Sequence, residues 1–376
     1  MAACDRGQLR RVAHVNSRAF LTPFRFVGIW LFVVKLGLGG CAPTADQQSR
    51  TDRSAIAAAA ADPNPQPRFD GGAFITTDGR RLPLRKWLPQ GRVRAVILAL
   101  HGFNDYSNAF AAPATLWARN GIATYAYDQR GFGAAPGRGR WPGRQILAVD
   151  AATACGILRR LYPSVPLYLL GESMGGAVAV IAMTGESGTP IPDVDGVILT
   201  APAVWGRTTM DLLPRVALFV GIRFLPGLTL TGQSLHILAS DNIPMLRALG
   251  RDPLVIKGTR VDTIWGLVNL MDAALDAAPR LHVRLLVMYG AHDEIIPKQP
   301  MRRFVRALPH DSGQRQKFAY YRHGYHMLLR DLEGPMVSAD IAGWILHPGA
   351  PLLSGADQGP FEAELGRAEQ ASLGKR

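Results

Sequence analysis

The chain has 376 residues, 48% of them hydrophobic and 19% charged, a composition typical of a globular protein that buries a sizeable core. The net charge is +13, but six of the 42 basic residues are lysine, the rest are arginine, and no long basic run occurs. A dedicated nucleic-acid surface is therefore not indicated. The three cysteines form no C-x-x-C pair, which disfavours a zinc site or a disulfide framework, and Cys155 has the helical spacing of a buried hydrophobe.

The amino-terminal segment has the pattern of a secretory signal: a basic flank, a short apolar run over residues 26–34, and then small residues. The apolar run is too short to span a bilayer. Residues 38–41, Leu-Gly-Gly-Cys, resemble the lipobox of bacterial lipoproteins, in which the cysteine becomes the lipid-carrying terminus. We therefore expect a signal peptide over residues 1–40 and lipidation of Cys41. An uncleaved interfacial anchor and a simple signal peptide remain as alternatives.

Two further segments have a composition that indicates little regular structure. Residues 41–70 are small, polar, rich in alanine and broken by proline, which predicts a flexible tether. Residues 347–376 are rich in glycine, proline and small residues, which predicts a poorly ordered tail. The folded domain is thus expected over residues 71–346.

Within that domain, short strand patterns alternate with helical ones. The opening segment predicts an antiparallel pair. The continuous apolar run "AVILAL" (95–100) predicts a strand that is buried on both faces, and "PLYLLG" (166–171) predicts another strand. Helical spacing separates the runs, so the fold class is α/β, with a mostly parallel central sheet and helices on both faces. Residues 204–279 break the rhythm with a long, mainly helical pattern and no obvious strand, which predicts a helical cap inserted over the sheet.

A possible nucleophile lies in "LLGESMGGAVAV", where Gly171 to Gly175 match G-x-S-x-G between a predicted strand and a predicted helix. A sharp turn at this junction strains the serine backbone, lifts the hydroxyl of Ser173 clear of the sheet, and requires neighbours without bulk. The backbone N–H of Met174 then lies at the start of a helix, where it can face a developing anion. The pattern therefore predicts a nucleophilic serine.

Three further elements that a nucleophilic serine needs follow other predicted strands. Gly102 allows a tight turn after the strand 95–100, so the N–H of Phe103 can join that of Met174 in an oxyanion hole. His101 is expected to brace this loop, with Asn104 and Asp105.

The acid and the base come later in the chain. Asp293 and Glu294 both follow a strand, and we favour Asp293 as the acid that orients the base. His323 and His326 both follow the last strand, and we favour His326 as the base because it directly precedes a helical segment and comes after the acid. His292 is expected to be an ordinary loop residue.

Taken together, these motifs resemble those of an α/β-hydrolase, and most closely the monoacylglycerol lipase and lysophospholipase group. The matching segments are "LHGFNDYS", "YDQRGFGAAPG", "GESMGG", "YGAHDEIIP" and "HGYHMLL", in the family's order between residues 98 and 329. The resemblance implies a triad of Ser173, Asp293 and His326, and an oxyanion hole from the amides of Phe103 and Met174. It also implies a structural role for the loop residues Asp128, Arg130, Gly131 and Gly133.

The function expected from the sequence is therefore hydrolysis of a carboxylic ester, a monoacylglycerol or a lysophospholipid, through an acyl-serine intermediate and without a metal or cofactor. An apolar stretch over residues 211–230 favours a lipid substrate, and the lipobox predicts a lipid anchor in the bacterial cell envelope, with a secreted or periplasmic protein as the alternative. A peptidase or thioesterase with the same triad and a non-catalytic tethered binding module remain open. No nucleic-acid partner is expected, and the sequence does not indicate an oligomeric state.

Overall fold

A computed structural model of the chain describes residues 66–186, 188, 190–232, 237–309 and 316–366. The predicted signal segment, Cys41 and all but the end of the predicted tether lie outside the described residues. Within the described part, no helix is both long enough and apolar enough to cross a bilayer.

The main sheet has nine strands among the described residues. In chain order they are β1 (Arg68–Asp70), β2 (Ala73–Ile75), β3 (Arg81–Trp87), β4 (Ala95–Leu100), β5 (Ile122–Tyr127), β6 (Leu167–Glu172), β7 (Gly196–Thr200), β10 (Leu285–Gly290) and β11 (Gln316–Tyr321); β8 and β9 are short strands outside this sheet. Across the sheet the order is β1-β2-β3-β5-β4-β6-β7-β10-β11. β1 to β3 form antiparallel pairs that join the sheet through β5, and the pairs from β5 to β11 are parallel. This confirms the predicted fold class.

Helices cover both faces of this sheet. In chain order they are α1 (Ala111–Arg119), α2 (Arg144–Leu161), α3 (Met174–Met183), α4 (Leu212–Phe224), α5 (Ile243–Arg251), α6 (Val261–Ala277), α7 (Lys298–Ala307) and α8 (Gly334–Leu346). Short 3-10 turns cover Ser107–Phe110 and Ala278–Arg280.

The central strands are buried on both sides, as their continuous apolar runs predict. In β4, Val96, Leu98 and Leu100 belong to one hydrophobic cluster with α2, α3, α6 and α7, whereas Ile97 belongs to a second cluster with α1 and α8. Since successive side chains of a strand point to opposite faces, both faces of the sheet must be covered. The carboxyl ends of the parallel strands are thereby held in a fixed row, and the loops that follow them form one edge.

The segment between β7 and β10 differs in part from the predicted cap. α6 contributes Val268, Leu270 and Met271 to the main core, so it belongs to the layer that covers the sheet. The remainder, residues 204–260, holds α4, α5 and an antiparallel pair of short strands, β8 (Thr229–Thr231) and β9 (Gly258–Arg260), which the sequence pattern did not indicate. We call residues 204–260 the cap from here on.

The two ends of the described chain are also more ordered than their composition indicates. Arg68–Asp70, inside the predicted tether, forms β1. Residues 347–366, predicted to be poorly ordered, pack beside β11: Leu352, Phe361 and Leu365 are buried, and Tyr320 donates its backbone N–H to Ala356 O at 2.9 Å. A few well-placed apolar side chains and an edge strand with free N–H groups order this segment, although its overall composition is polar and small.

Candidate active site

Ser173 occupies the turn between β6 and α3 in a backbone conformation that few residues adopt. Its φ of 52° and ψ of −114° lie outside the regular regions, which costs on the order of 1–3 kcal/mol and must be imposed by the surrounding structure. The main chain supplies that constraint: Ser173 N–H donates to Thr200 O at 3.0 Å, and Ser173 O accepts from Ala203 N–H at 2.9 Å. The strained turn predicted from the sequence is thus present.

The glycines on either side of Ser173 are required by space. A Cβ on Gly171 would lie 2.3 Å from Gly175 O, and a Cβ on Gly175 would lie 2.0 Å from Leu100 O. Atoms cannot approach so closely, so side chains at these positions would push the start of α3 away from β4 and β6. The G-x-S-x-G spacing therefore allows the helix to begin directly against the two strands.

His326 and Asp293 form a buried pair at the same edge of the sheet. Asp293 follows β10 and His326 follows β11, and Nδ1 of His326 lies 2.9 Å from Oδ2 of Asp293. The other carboxylate oxygen, Oδ1, accepts the backbone N–H groups of Ile295 at 2.8 Å and Ile296 at 2.9 Å. With the aspartate fixed by two amides, a proton on Nδ1 leaves Nε2 of the imidazole free to accept one.

Charge near His326 sets its protonation. Burial alone would lower the pKa of His326, but the charge of Asp293, its hydrogen bond and the charge of Glu172 outweigh burial and raise the pKa above its ordinary value. Glu172, one of the charges that act on the ring, directly precedes Ser173 in the chain. A protonated imidazole is therefore stabilised at this site, as a general base requires after it has accepted a proton.

The loop after β4 lies beside the serine. A Cβ on Gly102 would lie 3.5 Å from the Cβ of Ser173, so the next residue, Phe103, follows the point of closest approach. The Phe103 ring packs edge-on against Phe132, with 5.5 Å between centroids, and Met174 is fully buried at the first turn of α3. Among the described residues, no acceptor is found for the backbone N–H of Phe103 or Met174. Both amides are thus available to a bound anion.

His101 is a buried part of this loop and lies between two hydrogen bonds. Its Nε2 accepts the backbone N–H of Gln129 at 2.9 Å, so Nδ1 carries the proton and donates it to Gly102 O at 2.8 Å. Burial lowers the pKa of His101, which keeps the ring neutral in this role. His101 therefore braces the loop, as expected from its position, and has no ring nitrogen left for proton transfer.

The cap is tied to the same loop. Asn104, in a left-handed conformation with φ of 64°, donates Nδ2–H to Thr259 Oγ1 at 2.7 Å and accepts the Ile256 N–H at 2.9 Å. Two residues further on, Tyr106 donates its hydroxyl to Asp252 Oδ2 at 2.7 Å. The cap thus contacts the loop that carries the Phe103 amide.

The loop after β5 is held by its own side chains. Asp128 accepts the backbone N–H of Ser107 at 3.1 Å and of Ala134 at 2.9 Å, and Arg130 pairs with Asp78 and Asp150 at 2.6 Å each. Gly131 and Gly133 have φ of 83° and 56°, and side chains there would collide with Arg140 O and Asp128. These contacts agree with the structural role that the family resemblance implied.

The neighbouring candidates lie in other surroundings. His323 is exposed, and the His292 ring stacks on Tyr325. Glu294 accepts the Leu238 N–H at 3.0 Å, beside the cap. Cys155 is fully buried in α2, and burial raises the pKa of its thiol to about 12.

Sequence reasoning missed a buried cation at this edge. Arg330 lies between Asp105 and Glu172, with Nη1 2.7 Å from Asp105 Oδ2 and Nη2 3.1 Å from Glu172 Oε1. The available signal was two acidic side chains beside buried strands, Glu172 at the end of β6 and Asp105 in the loop after β4, because carboxylates in such places need a cation. Among the described residues, no group of three or more potential metal ligands is found.

Comparison with known proteins agrees with this architecture. The chain is 26% identical to a monoglyceride lipase of Rattus norvegicus over 290 residues, covering 76% of this chain and 93% of the relative. It is also 26% identical to a monoacylglycerol lipase of Mycolicibacterium smegmatis over 278 residues, covering 73% and 96%. The crystal structure of a Paleococcus ferrophilus monoacylglycerol lipase has the same fold, with a TM-score of 0.57, 22% identity and coverage of 70% of this chain and 98% of that one.

The sequence profile of one family spans most of the folded domain. It matches residues 91–333, which include the turn at Ser173, both loops that carry Asp293 and His326, and the cap between them. Together with the sheet order and the turn geometry, this match shows that the chain belongs to the α/β-hydrolase family described as serine aminopeptidase, S33.

Proposed function

We propose that the protein is a serine hydrolase that cleaves carboxylic esters bearing one acyl chain, such as a monoacylglycerol or a lysophospholipid. The observation that carries this proposal is the buried His326–Asp293 pair at the sheet edge where Ser173 occupies its strained turn. A serine is a weak nucleophile until a base accepts its proton, and these are the groups that the reaction needs.

In the proposed reaction, Nε2 of His326 takes the hydroxyl proton as Oγ of Ser173 attacks the ester carbonyl carbon. Asp293 holds the proton on Nδ1 and stabilises the imidazolium. The oxygen of the tetrahedral intermediate accepts hydrogen bonds from the amides of Phe103 and Met174, which act mainly in the transition state. His326 returns its proton to the departing alcohol, an acyl-serine remains, and water repeats the sequence to release the fatty acid.

The cap supports an apolar acyl group as the substrate. Helix α4 has no buried residue, and most of its apolar side chains are open to solvent, with Leu212 72% and Phe224 73% exposed, while Leu218 packs half-buried against the main core. An apolar surface of this kind, on a cap that contacts the oxyanion loop, favours binding of lipids. The names of the rat and mycobacterial relatives, monoglyceride and monoacylglycerol lipase, support the same substrate class.

The location that we propose is the cell envelope, with the chain anchored by lipid on Cys41. The support is the sequence of the amino-terminal segment alone. Mass spectrometry of the mature amino terminus tests it: a diacylglyceryl-modified cysteine at position 41 is expected, and an intact leader or an unmodified terminus would contradict the anchor.

The substrate test compares p-nitrophenyl acetate, p-nitrophenyl decanoate, a monoacylglycerol, a lysophospholipid and an aminoacyl p-nitroanilide, with Ser173→Ala as the control. We expect hydrolysis of the long-chain ester, the monoacylglycerol or the lysophospholipid, and loss of all activity in Ser173→Ala. A clear preference for the acetate would remove the lipid substrate, and ester hydrolysis by Ser173→Ala would contradict the mechanism.

A peptidase is the second candidate, because the matched family is described as serine aminopeptidase. Cleavage of the anilide without cleavage of the esters would favour it. Reaction with a fluorophosphonate separates either enzyme from a non-catalytic binding module, which would not be labelled at Ser173.

A further inference from the structure

Arg330 contacts two of the three loops that form the candidate site and belongs to the third. Its guanidinium lies 2.7 Å from Asp105 on the loop after β4, and 3.1 Å from Glu172, the last residue of β6. Arg330 itself is on the loop after β11, four residues beyond His326 in the chain. One side chain thus joins the loop with the Phe103 amide, the turn with Ser173 and the loop with His326.

The cluster is closed to solvent. The side chains of Arg330, Asp105 and Glu172 are 9%, 7% and 3% exposed. Burial opposes the charge of Arg330, but the charges of Glu172 and Asp105 more than compensate, and the pKa of Arg330 is raised above its ordinary value. Arg330 therefore carries a permanent charge between two acidic groups, and removing one partner of such a buried pair leaves the others uncompensated.

The fit of the guanidinium is specific to arginine. Its planar fork places one terminal nitrogen against Asp105 and the other against Glu172, whereas a lysine ammonium is a single point charge. Within the described residues, Nε of Arg330, Oε2 of Glu172 and Oδ2 of Asp105 have no hydrogen-bond partner of regular geometry. The contact to these two loops is therefore an ion pair with Asp105 and one hydrogen bond to Glu172, both from the terminal nitrogens. A substitution at position 330 thus changes both connections together.

The same cluster acts on His326. The charged groups that influence the His326 imidazole in the described part of the chain are Asp293 and Glu172, which favour its protonation, and Arg330, which opposes it. Asp331, the next residue, is turned away from Arg330: it accepts Ser240 Oγ–H at 2.6 Å and the Tyr325 N–H at 2.7 Å. Glu172 and Arg330 therefore shift the pKa of His326 in opposite directions, although they are hydrogen-bonded to each other.

We propose that Arg330 is a positioning residue that fixes the oxyanion loop and the nucleophile turn relative to His326 and, with Glu172, adjusts the basicity of that histidine. This inference rests on the proposed function, because it assigns Arg330 a part in the same reaction. Neither the G-x-S-x-G pattern nor the triad contains this residue.

The test measures pH profiles of kcat/KM on p-nitrophenyl decanoate for the wild-type chain, Arg330→Met, Arg330→Lys and Glu172→Gln. In Arg330→Met the loss of the cation raises the pKa of His326, so the acid limb moves to higher pH. In Glu172→Gln the loss of an anion lowers it, and the limb moves to lower pH. Arg330→Lys keeps the charge, so its limb stays in place, but kcat falls about 10- to 100-fold because one ammonium cannot hold both loops.

Arg284→Met is the matched control. Arg284 is a part-buried arginine at the opposite end of β10, where it bonds the Trp344 carbonyl at 2.6 Å and Tyr168 Oη at 3.1 Å. Its loss should lower stability without moving the acid limb. Thermal denaturation identifies variants that fail to fold; if Arg330→Met is one, Arg330→Lys and Glu172→Gln decide the question.

The rate of fluorophosphonate labelling of Ser173, measured over the same pH range, separates this inference from the proposed function. Labelling requires only a positioned and activated serine, whatever the substrate. Opposite limb shifts in labelling with no ester hydrolysis would contradict the proposed function and retain the role of Arg330. The role of Arg330 would be overturned if the acid limbs of Arg330→Met and Glu172→Gln stayed in place or moved in the same direction. It would also be overturned if Ser173 of the wild-type chain were not labelled.

Discussion

The sheet domain and the cap are stabilised in different ways. The strands and helices of the domain bury nearly every large apolar side chain in two clusters, one on each face of the sheet. The cap helices α4 and α5 contain no buried residue. The cap contacts the domain through a few apolar side chains, such as Val204 and Met210 at its start, and through hydrogen bonds such as Asn104–Thr259 and Tyr106–Asp252. The packed domain therefore positions the candidate catalytic groups, whereas the cap presents an apolar surface to solvent.

The largest contrast that we expect is in activity, between neighbouring acidic residues. Asp293→Asn should lower kcat about 10⁴-fold, because the amide no longer stabilises the imidazolium or fixes its tautomer. Glu294→Gln should change kcat less than about threefold, since the side chain of Glu294 only accepts the N–H of Leu238 in the cap, and the amide oxygen can still accept it. Steady-state kinetics on one ester measures both variants. Comparable losses of kcat would mean that the contact of Glu294 with the cap matters for catalysis as much as the contact of Asp293 with His326.

A second contrast concerns stability and compares two leucines. Leu98→Ala, at the centre of the sheet, should lower the free energy of unfolding by about 2–5 kcal/mol, because it leaves a cavity between packed layers. Leu212→Ala, at a 72% exposed position of the cap, should change it by less than about 0.5 kcal/mol. Urea denaturation measures both changes, and a large loss from Leu212→Ala would show that α4 is packed against a partner.

A third contrast uses two glycines. Gly175→Ala should cost about 3 kcal/mol, because the new Cβ would lie 2.0 Å from Leu100 O at the start of α3. Gly250→Ala, in α5 of the cap, meets no atom within 4 Å and should instead stabilise the protein by about 0.5–1 kcal/mol through helix propensity. Melting temperatures that fall equally in the two variants would refute the difference between the regions.

The smallest expected effect sharpens the connection between the regions. Thr259→Val removes the acceptor for the Asn104 side chain, so the loop that carries the Phe103 amide is held less firmly. We expect kcat to fall a few-fold, which corresponds to about 1 kcal/mol of transition-state stabilisation. Thr263→Val is the control, because it also loses one hydrogen bond, to Gly139 O, but lies in α6 of the domain. Equal kcat values in Thr259→Val and the wild type would mean that the cap does not influence the oxyanion loop.

The sequence predicted the parts of the fold that local pattern determines. Continuous apolar runs identified the buried strands, and Gly171 and Gly175 identified the strained turn because only glycine fits where a helix begins against a strand. The order of motifs also placed Asp293 and His326 on successive strand ends, and the structure joins them by a hydrogen bond. Their catalytic roles remain predictions.

What the sequence did not reveal depends on contacts between distant segments. The role of Arg330 depends on its contacts with Asp105 and Glu172, which lie far away along the chain. No local sequence pattern distinguishes this arginine from the others. Helix α6 was assigned to the cap because periodicity shows that a helix has an apolar face but not which surface covers it. The strands β8 and β9 are too short for a pattern of alternation to stand out.

The course of residues 347–366 has a consequence for how the molecule behaves at high concentration. β11 ends the row of strands, and an uncovered terminal strand offers its amides to any other extended peptide, which is a common route to aggregation. Here the chain's own carboxyl-terminal segment takes that place, with Ala356 O on the Tyr320 amide and Phe361 against Phe318, 5.4 Å between ring centroids. The last part of the described chain thus covers the β11 edge of the sheet, where an extended segment of a second molecule could otherwise pair.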